Sequence, residues 1–293
     1  MKNLSLATIF AAASGFVVMW IASWALDAEH GYNSFLAYWG LFFACTGLID
    51  GITQETTRAV AASRETQVRG NANPWKLGMA IGVALAAVVL LVGLFAMGRI
   101  VPTHPGTATG LLAFGLLSYA FQAVLSGILS GSGLWNRYAA LVALDSGVRL
   151  VLAVVVWALG GGLVEFLAIT VIGALSWAVV LALAPVRVQL DVDRGAFVRR
   201  VGSAMVASGA SAALITGFPT AASAAFPAAT AGAAVAAINN AVMLTRAPVL
   251  VPLQRFQSAL VVRFVERRGT VYRALAAPVG AIMGLSLIHI SAP

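Results

Sequence analysis

The chain has 293 residues, of which 60% are hydrophobic and only 10% are charged. A soluble domain carries about 25% charged residues because its surface faces water, so this composition excludes an ordinary soluble protein and indicates that lipid surrounds most of the chain. The net charge of +8 could suggest a nucleic-acid partner. The basic residues lie in short gaps between apolar segments, however, where membrane topology places them, and we expect no nucleic-acid binding.

The apolar segments predict the elements. A helix needs about 20 apolar residues to cross a hydrocarbon core of about 30 Å. In chain order, the segments of sufficient length are 6–26, 34–52, 77–98, 108–129, 138–159, 164–184, 201–223, 232–254 and one that starts near residue 271. The first is too long for the apolar core of a signal peptide and is predicted to be a retained helix. The predicted fold class is all-α, a polytopic transmembrane helix bundle whose first six-helix lobe is complete and whose second lobe is partial.

The predicted domains follow from this order. An N-terminal six-helix lobe occupies 1–185, a basic cytoplasmic linker 186–200, a partial second lobe 201–284, and a tail expected to be artefactual 285–293. The segment 50–69 continues the second helix and is expected to run along or just beneath the membrane interface. The tail resembles the translation of a sequencing-library adapter, and the last apolar segment lacks a partner, so we expect the natural protein to continue.

The charges in the gaps alternate along the chain. The gaps after the second, fourth, sixth and eighth segments are basic, whereas the intervening gaps hold Asp27 and Glu29, then Arg99, then Glu165, then no charge. Short loops rich in Lys and Arg stay in the cytoplasm. The pattern predicts a bacterial cytoplasmic (inner) membrane protein with its N-terminus in the cytoplasm.

Catalytic and metal-binding motifs are missing from the sequence. Cys45 is the single cysteine, and the three histidines lie far apart, so the chain shows neither a thiol cluster nor a zinc-protease or phosphate-loop motif. We predict no enzyme activity, no cofactor and no metal. Three pairs of glycines at i, i+4 (78/82, 106/110 and 127/131) are instead typical of close helix packing.

Two charges lie deep in the fifth apolar segment. Asp145 and Arg149 are four residues apart and therefore share one helix face. Counted from Arg137 at about 1.5 Å per residue, they lie about 12 Å and about 18 Å inside the hydrocarbon. A self-neutralising pair that joins two helices and a pair that lines a cavity explain this spacing equally well.

Arg246 is the second deep arginine. Pro248 follows it and removes a backbone hydrogen bond, and no acidic residue lies within a turn or two. A bent helix with an arginine suits a water-filled cavity that accepts an anion, and Asn239 and Asn240 would add polar lining. The alternative is that Arg246 pairs with an acidic residue elsewhere, such as Asp50 or Asp145.

Asp50, Glu55 and Arg58 form a polar cluster at the end of the second segment. A solvated helix end explains it most simply. In the functional interpretation, Arg58 helps to capture an anion and Asp50 is an ion-coupling carboxylate.

The layout of six spans, a basic linker and a second bundle resembles the multidrug/oligosaccharidyl-lipid/polysaccharide exporter superfamily, and most closely its bacterial oligosaccharide (O-antigen and teichoic-acid type) flippases. The residues that carry the resemblance are Gly47-Leu48 through Arg58, Gly127-Ile128-Leu129-Ser130-Gly131, Arg149-Leu150, Gly217-Phe218-Pro219, and Arg246-Ala247-Pro248 through Arg263-Phe264.

The resemblance implies a transporter that flips lipid-diphosphate-linked oligosaccharide across the membrane by alternating access, for cell-envelope polysaccharide synthesis. Arginine can grip phosphate oxygens bidentately, which makes Arg149, Arg246 and Arg58 the expected substrate contacts. The expected partners are this substrate, membrane lipids, and a polysaccharide polymerase with its glycosyltransferases. The alternatives are a cation-coupled multidrug exporter of the same superfamily, an integral-membrane transferase and a non-transporting membrane scaffold.

Overall fold

The computed structural model describes residues 2–26, 31–67, 70–186, 188 and 190–216, together with the isolated residues 237, 241 and 262. Every regular element in these ranges is helical, which confirms the predicted all-α class. The helices are α1 (Lys2–Ala25), α2 (Asn33–Thr66), α3 (Pro74–Ile100), α4 (Pro105–Gly131), α5 (Trp135–Ala158), α6 (Leu163–Ile172), α7 (Ser176–Leu183) and α8 (Arg194–Thr216); a 3-10 turn, Gly173–Leu175, joins α6 to α7.

Six helices of the described chain are long and apolar enough to cross a membrane, namely α1 to α5 and the α6–α7 pair taken together. Their outer surfaces are apolar. On α3, for example, Leu91, Leu94 and Phe95 are 65%, 77% and 85% exposed. An apolar surface of this extent requires lipid rather than water around it, so the chain is a multi-pass membrane protein.

Most loop charges lie at one end of the bundle, which we call the basic end. The start of α1 meets the start of α5 there, where the Asn3 amide donates to Asn136 (3.0 Å). The end of α2 meets the end of α4, where Arg64 donates to the Gly131 carbonyl (3.2 Å). The basic residues of this end are Arg58, Arg64, Lys76, Arg137, Arg194, Arg199 and Arg200. The rule that positive loops stay inside predicts that this end faces the cytoplasm.

Helix α2 extends well beyond its apolar segment and is buried along that extension. It continues unbroken to Thr66, and Thr56, Thr57 and Val60 are all buried. Thr53 donates to the Ala123 carbonyl of α4 (3.1 Å). Residues 50–62 therefore pack against neighbouring helices, chiefly α4 and α8, and the position of this stretch along or just beneath the membrane interface stays a prediction.

Two of the three glycine pairs lie where helices touch. Gly127 and Gly131 of α4 face Thr56 and Val60 of α2, and the 78/82 pair of α3 faces α4. Around the 106/110 pair, no heavy atom of another described element lies within 4 Å of the point that a β-carbon would occupy. The packing interpretation is confirmed for the first two pairs and stays a prediction for the third.

The predicted linker is fastened to the first six helices. The Gly70 N–H donates to the Leu190 carbonyl (2.7 Å) and the Ala72 N–H donates to the Val192 carbonyl (3.2 Å). Leu190 and Val192 are buried, which explains the alternation of apolar and polar residues as an extended segment with one inward side. The last part of the predicted linker, from Arg194 onward, is already helical.

Candidate functional site

The deep charges of α5 form a buried ion pair. Arg149 Nη1 donates to Asp145 Oδ2 and Arg149 Nη2 lies near Asp145 Oδ1, both at 2.9 Å. The side chains are only 6% and 4% exposed. Arg149 Nε donates to the Thr170 carbonyl of α6 (3.1 Å), and the guanidinium lies over the rings of Phe42 and Phe43, 5.9 and 5.3 Å from their centroids.

The sixth span is interrupted beside this pair. Its sequence is a continuous apolar segment, 164–184, but the 3-10 turn at Gly173 divides the helix. A β-carbon at Gly173 would lie 2.6 Å from both Arg149 Nε and Asp145 Oδ1, so only glycine allows the pair to approach this backbone. The altered turn leaves backbone carbonyls that accept hydrogen bonds from side chains. The Thr170 carbonyl accepts one from Arg149, and the Ala174 carbonyl accepts one from the Ser118 hydroxyl (2.8 Å).

These contacts determine what the pair can do in this conformation. The carboxylate neutralises the guanidinium, and the remaining contacts of Arg149 are a carbonyl and two aromatic rings. The pair therefore joins α5 to α2 and α6. A substrate phosphate could reach Arg149 only after these contacts opened, so anion binding at Arg149 stays a prediction.

A second charged cluster lies at the basic end of α2. Arg58 forms two 2.8 Å hydrogen bonds to Glu55 and contacts Asp191 of the linker at 3.3 Å. Arg200 of α8 lies 3.8 Å from the same Glu55 carboxylate. Glu55 is the most buried member at 8% exposure, and Arg200 the least at 48%. The cluster ties α2, the linker and α8 together.

Small residues bring α2 and α8 into close contact beside this cluster. Gly47 faces Ala212, Gly51 faces the backbone of Met205, and Gly209 on α8 faces the Leu48 side chain. A β-carbon at Gly51 would overlap the Met205 backbone, so the helices could not approach this closely with a larger residue.

One hydrogen bond crosses the same contact. The Gln54 amide donates to the Ser208 hydroxyl at 2.9 Å, and Ser208 in turn donates to the Ala204 carbonyl of its own helix. The basic end of α2 is thus closed against α8 by polar and small side chains, together with Phe197 and Val201 of α8, which are buried in the same apolar cluster as Ile52.

Asp50 lies between these two clusters. Tyr119 of α4 donates its hydroxyl to Asp50 Oδ1 at 2.8 Å. The structure does not bring Asp50 together with Arg58 or Arg149 in a described ion pair. Its predicted role in ion coupling stays a prediction.

The remaining predicted site residues, Arg246, Asn239 and Asn240, lie outside the described residues, as do the Gly217-Phe218-Pro219 and Arg246-Ala247-Pro248 motifs. In the described ranges no group of three His, Cys, Asp or Glu side chains could hold a metal ion.

Sequence reasoning missed the partners that cross from one element to another. Asp191 lies 133 residues from Arg58, and Gln54 lies 154 residues from Ser208. The alternation of apolar and polar residues in the linker was a usable signal that the linker packs against the helices, and so that Asp191 lies close to them. No local pattern points from Gln54 to Ser208.

No family model matches this chain. The uncharacterized protein Mb3654 of Mycobacterium bovis is 32% identical to it over 290 residues, which cover 96% of this chain and 67% of that protein. This chain belongs to the same family as Mb3654. The uncharacterized protein Rv1510 of Mycobacterium tuberculosis is 33% identical over 295 residues, which cover 96% of this chain and 66% of that protein. The chain thus spans about two thirds of the length of these members of the Mb3654 family.

A solved structure shows the fold of the family. The crystal structure of a MATE protein in complex with MaD3S has a TM-score of 0.64 to this chain, at 18% identity, and the match covers 99% of this chain and 75% of the MATE chain. The Mb3654-family chain therefore shares the fold of this MATE protein.

Proposed function

We propose that this chain is part of a membrane transporter that moves lipid-diphosphate-linked oligosaccharide across the cytoplasmic membrane by alternating access. The observation that carries the proposal is the contact between α2 and α8 at the basic end. In the predicted domain division, α2 belongs to the first lobe and α8 begins the second. Two lobes that close over each other at one end are what alternating access requires.

The chemistry of this contact suits a closure that can be reversed. The Gln54–Ser208 hydrogen bond and the Arg200–Glu55 ion pair cross it, and both groups can bind water when the helices separate. A contact of large apolar side chains would instead expose hydrophobic area on opening, at about 25 cal/mol per Å². The small and polar residues lower this cost, whereas Phe197 and Val201 of α8, both buried, add to it.

The charges favour an anionic substrate. Glu55, Asp145 and Asp191 each lie within 4 Å of an arginine, so these carboxylates are not arranged to attract a cation. A lipid diphosphate headgroup is anionic, and Arg246, with Arg58 and Arg149, is the proposed set of phosphate contacts. Glycosyltransferases would then supply the substrate, and a polymerase would consume it.

Asp50 favours a second candidate function, a cation-coupled exporter of the same superfamily. Its carboxylate is half-buried and accepts a hydrogen bond from the Tyr119 hydroxyl of α4. A carboxylate of this kind beside a helix contact that opens could exchange a proton or a metal cation during transport.

A flipping assay separates these functions. The protein encoded at the natural locus is purified and reconstituted into liposomes that contain a fluorescent polyprenyl-diphosphate oligosaccharide, and a membrane-impermeant reductant bleaches the outer leaflet. We expect the bleached fraction to rise from about half toward completeness as label crosses the membrane. Ion-dependent transport of a cationic dye without glycolipid flipping would establish the second candidate instead, and neither activity would favour a scaffold.

Two sets of variants connect the assay to the structure. Gln54→Cys with Ser208→Cys should form a disulfide under oxidation, stop flipping, and recover on reduction; each single variant is the matched control. Arg246→Ala should abolish flipping at unchanged membrane abundance. Continued flipping by the oxidised double variant would show that α2 and α8 need not separate.

A further inference from the structure

A cavity of about 840 Å³ opens at the basic end, away from the α2–α8 contact. Its lining includes Arg64 and Gln67 of α2, Asn73 and Trp75 at the start of α3, Ser132 after α4, and Val188 of the linker. We call it the basic-end cavity.

The cavity lies on a different face of α2 from the closure. Successive residues of a helix are about 100° apart, so Gly51, Gln54, Glu55 and Arg58 project from one side of α2. Residues 60, 63, 64 and 67, which line the cavity, project from the opposite side. A ligand in the basic-end cavity would therefore contact the first six helices and the linker without touching the described contact between α2 and α8.

Arg64 gives the cavity a positive charge that the described carboxylates do not neutralise. Its Nη1 donates to the Gly131 carbonyl, which caps the end of α4. In the described part of the chain, no carboxylate lies within ion-pair distance of Arg64, whereas Arg58 and Arg149 both hold carboxylates. A guanidinium has five N–H donors, so capping α4 leaves several of them for a ligand.

A second positive group faces the same space. Asn73 caps the 27-residue helix α3, accepting a hydrogen bond from the Lys76 N–H at 3.1 Å. The start of a helix carries a partial positive charge, and free N–H groups there bind phosphate. Pro74 has no N–H, and the Lys76 and Leu77 N–H groups donate to Asn73. The Trp75 N–H is therefore the donor of this first turn that an anion could share with Arg64.

The other wall of the cavity is apolar. Trp75 stacks on Phe121 with ring centroids 6.4 Å apart, and Val60, Val186 and Val188 adjoin it. Tryptophan is enriched at the level of the lipid headgroups, where one side of the ring meets hydrocarbon and the other meets water. One side of the cavity is therefore cationic and the other is apolar. This arrangement is complementary to a phosphate ester, which has an anionic phosphate and a hydrophobic substituent.

We propose that the basic-end cavity is a binding site for a phosphate ester, with the phosphate on Arg64 and the organic part against Trp75. The same phosphate chemistry could come from an anionic lipid of the adjacent leaflet or from a soluble phosphate ester. The site is separate from the proposed transport path, so the failure of either proposal leaves the other standing.

The test places the full-length protein in nanodiscs of phosphatidylcholine with about 10–20% phosphatidylglycerol, which gives the bilayer a negative surface potential. After detergent extraction, mass spectrometry counts the phosphatidylglycerol molecules that remain bound to the protein. We expect Arg64→Gln to lower retention about tenfold, because a charge-assisted phosphate contact is lost. The glutamine can still donate to Gly131, so the end of α4 keeps its cap. Arg137→Gln, which removes an exposed arginine at the same end, is the matched control and should retain the lipid.

A second arm identifies the source of the phosphate. Thermal stability of the detergent-purified protein is measured with inorganic phosphate and with glycerol 3-phosphate. Stabilisation that Arg64→Gln abolishes, without selective lipid retention, would support the site with a soluble ligand. Ser132→Phe fills the cavity while leaving Arg64 in place and should abolish either effect. Equal behaviour of the parent, Arg64→Gln and Arg137→Gln in both arms would overturn the proposal.

Discussion

The buried pair of α5 yields a quantitative test. In Arg149→Met, the Asp145 carboxylate loses its only described cation while its side chain, 4% exposed, stays covered by protein. Removing one member of a buried ion pair costs about 3–5 kcal/mol, because an uncompensated charge remains. We expect Arg149→Met to lower the free energy of unfolding by about this amount, and Asp145→Asn to lower it similarly because the guanidinium is left unpaired.

The double variant Asp145→Asn with Arg149→Met removes both charges. Replacing a whole buried pair is often close to neutral, so its loss should be far smaller than the sum of the single losses, which is about 6–10 kcal/mol. The Thr170 carbonyl, which then lacks the Arg149 donor, accounts for a residual loss of about 1 kcal/mol. Unfolding is measured by thermal denaturation in detergent. Arg137→Met, on the exposed start of the same helix, is the control and should stay within about 0.5 kcal/mol of the parent.

The result also separates the two interpretations of Arg149. If the pair only joins helices, the folded double variant should still flip glycolipid; if Arg149 contacts substrate phosphate, the double variant should be stable and inactive. Unchanged stability of Arg149→Met would refute the reasoning, since it would mean that Asp145 does not depend on this arginine.

Three further predictions concern other contacts. Gly51→Leu should force α2 from the Met205 backbone and prevent closure of the basic end, which faster maleimide labelling of a cysteine on the facing side of α8 would reveal; unchanged labelling would contradict the closure. Gly173→Ala should destabilise the protein by about 1–3 kcal/mol, because the new methyl group meets the buried ion pair, whereas Gly110→Ala, at a position with no described neighbour within 4 Å, should stabilise it by about 0.5–1 kcal/mol; equal thermal shifts would argue against the crowding. Arg58→Ala should release the linker and speed its cleavage by trypsin, more so at low salt, where the lost ion pairs are strongest; an unchanged cleavage rate would show that backbone hydrogen bonds alone hold the linker.

The sequence determined the membrane-spanning elements and the charge asymmetry of the two ends. Each of the first six apolar segments overlaps a span of the structure over nearly its whole length, because the thickness of the hydrocarbon fixes how many apolar residues a helix needs. The Asp145–Arg149 contact was also accessible, since four residues is about one helical turn and the two partners need no other element to bring them together.

Tertiary structure alone decided which faces of these helices touch. In a soluble protein the buried face is more apolar than the exposed one, but here lipid covers the outside, so both faces of α3 are equally apolar and periodicity does not distinguish them. This is why the glycine pairs at 127/131 and 106/110 look alike in sequence yet only the first packs against a described neighbour. It is also why the sequence did not show that the polar extension of α2 packs against α4 and α8. Arg58 could not be matched to Asp191 for the same reason: contacts between distant segments depend on how the helices pack, which local spacing does not encode.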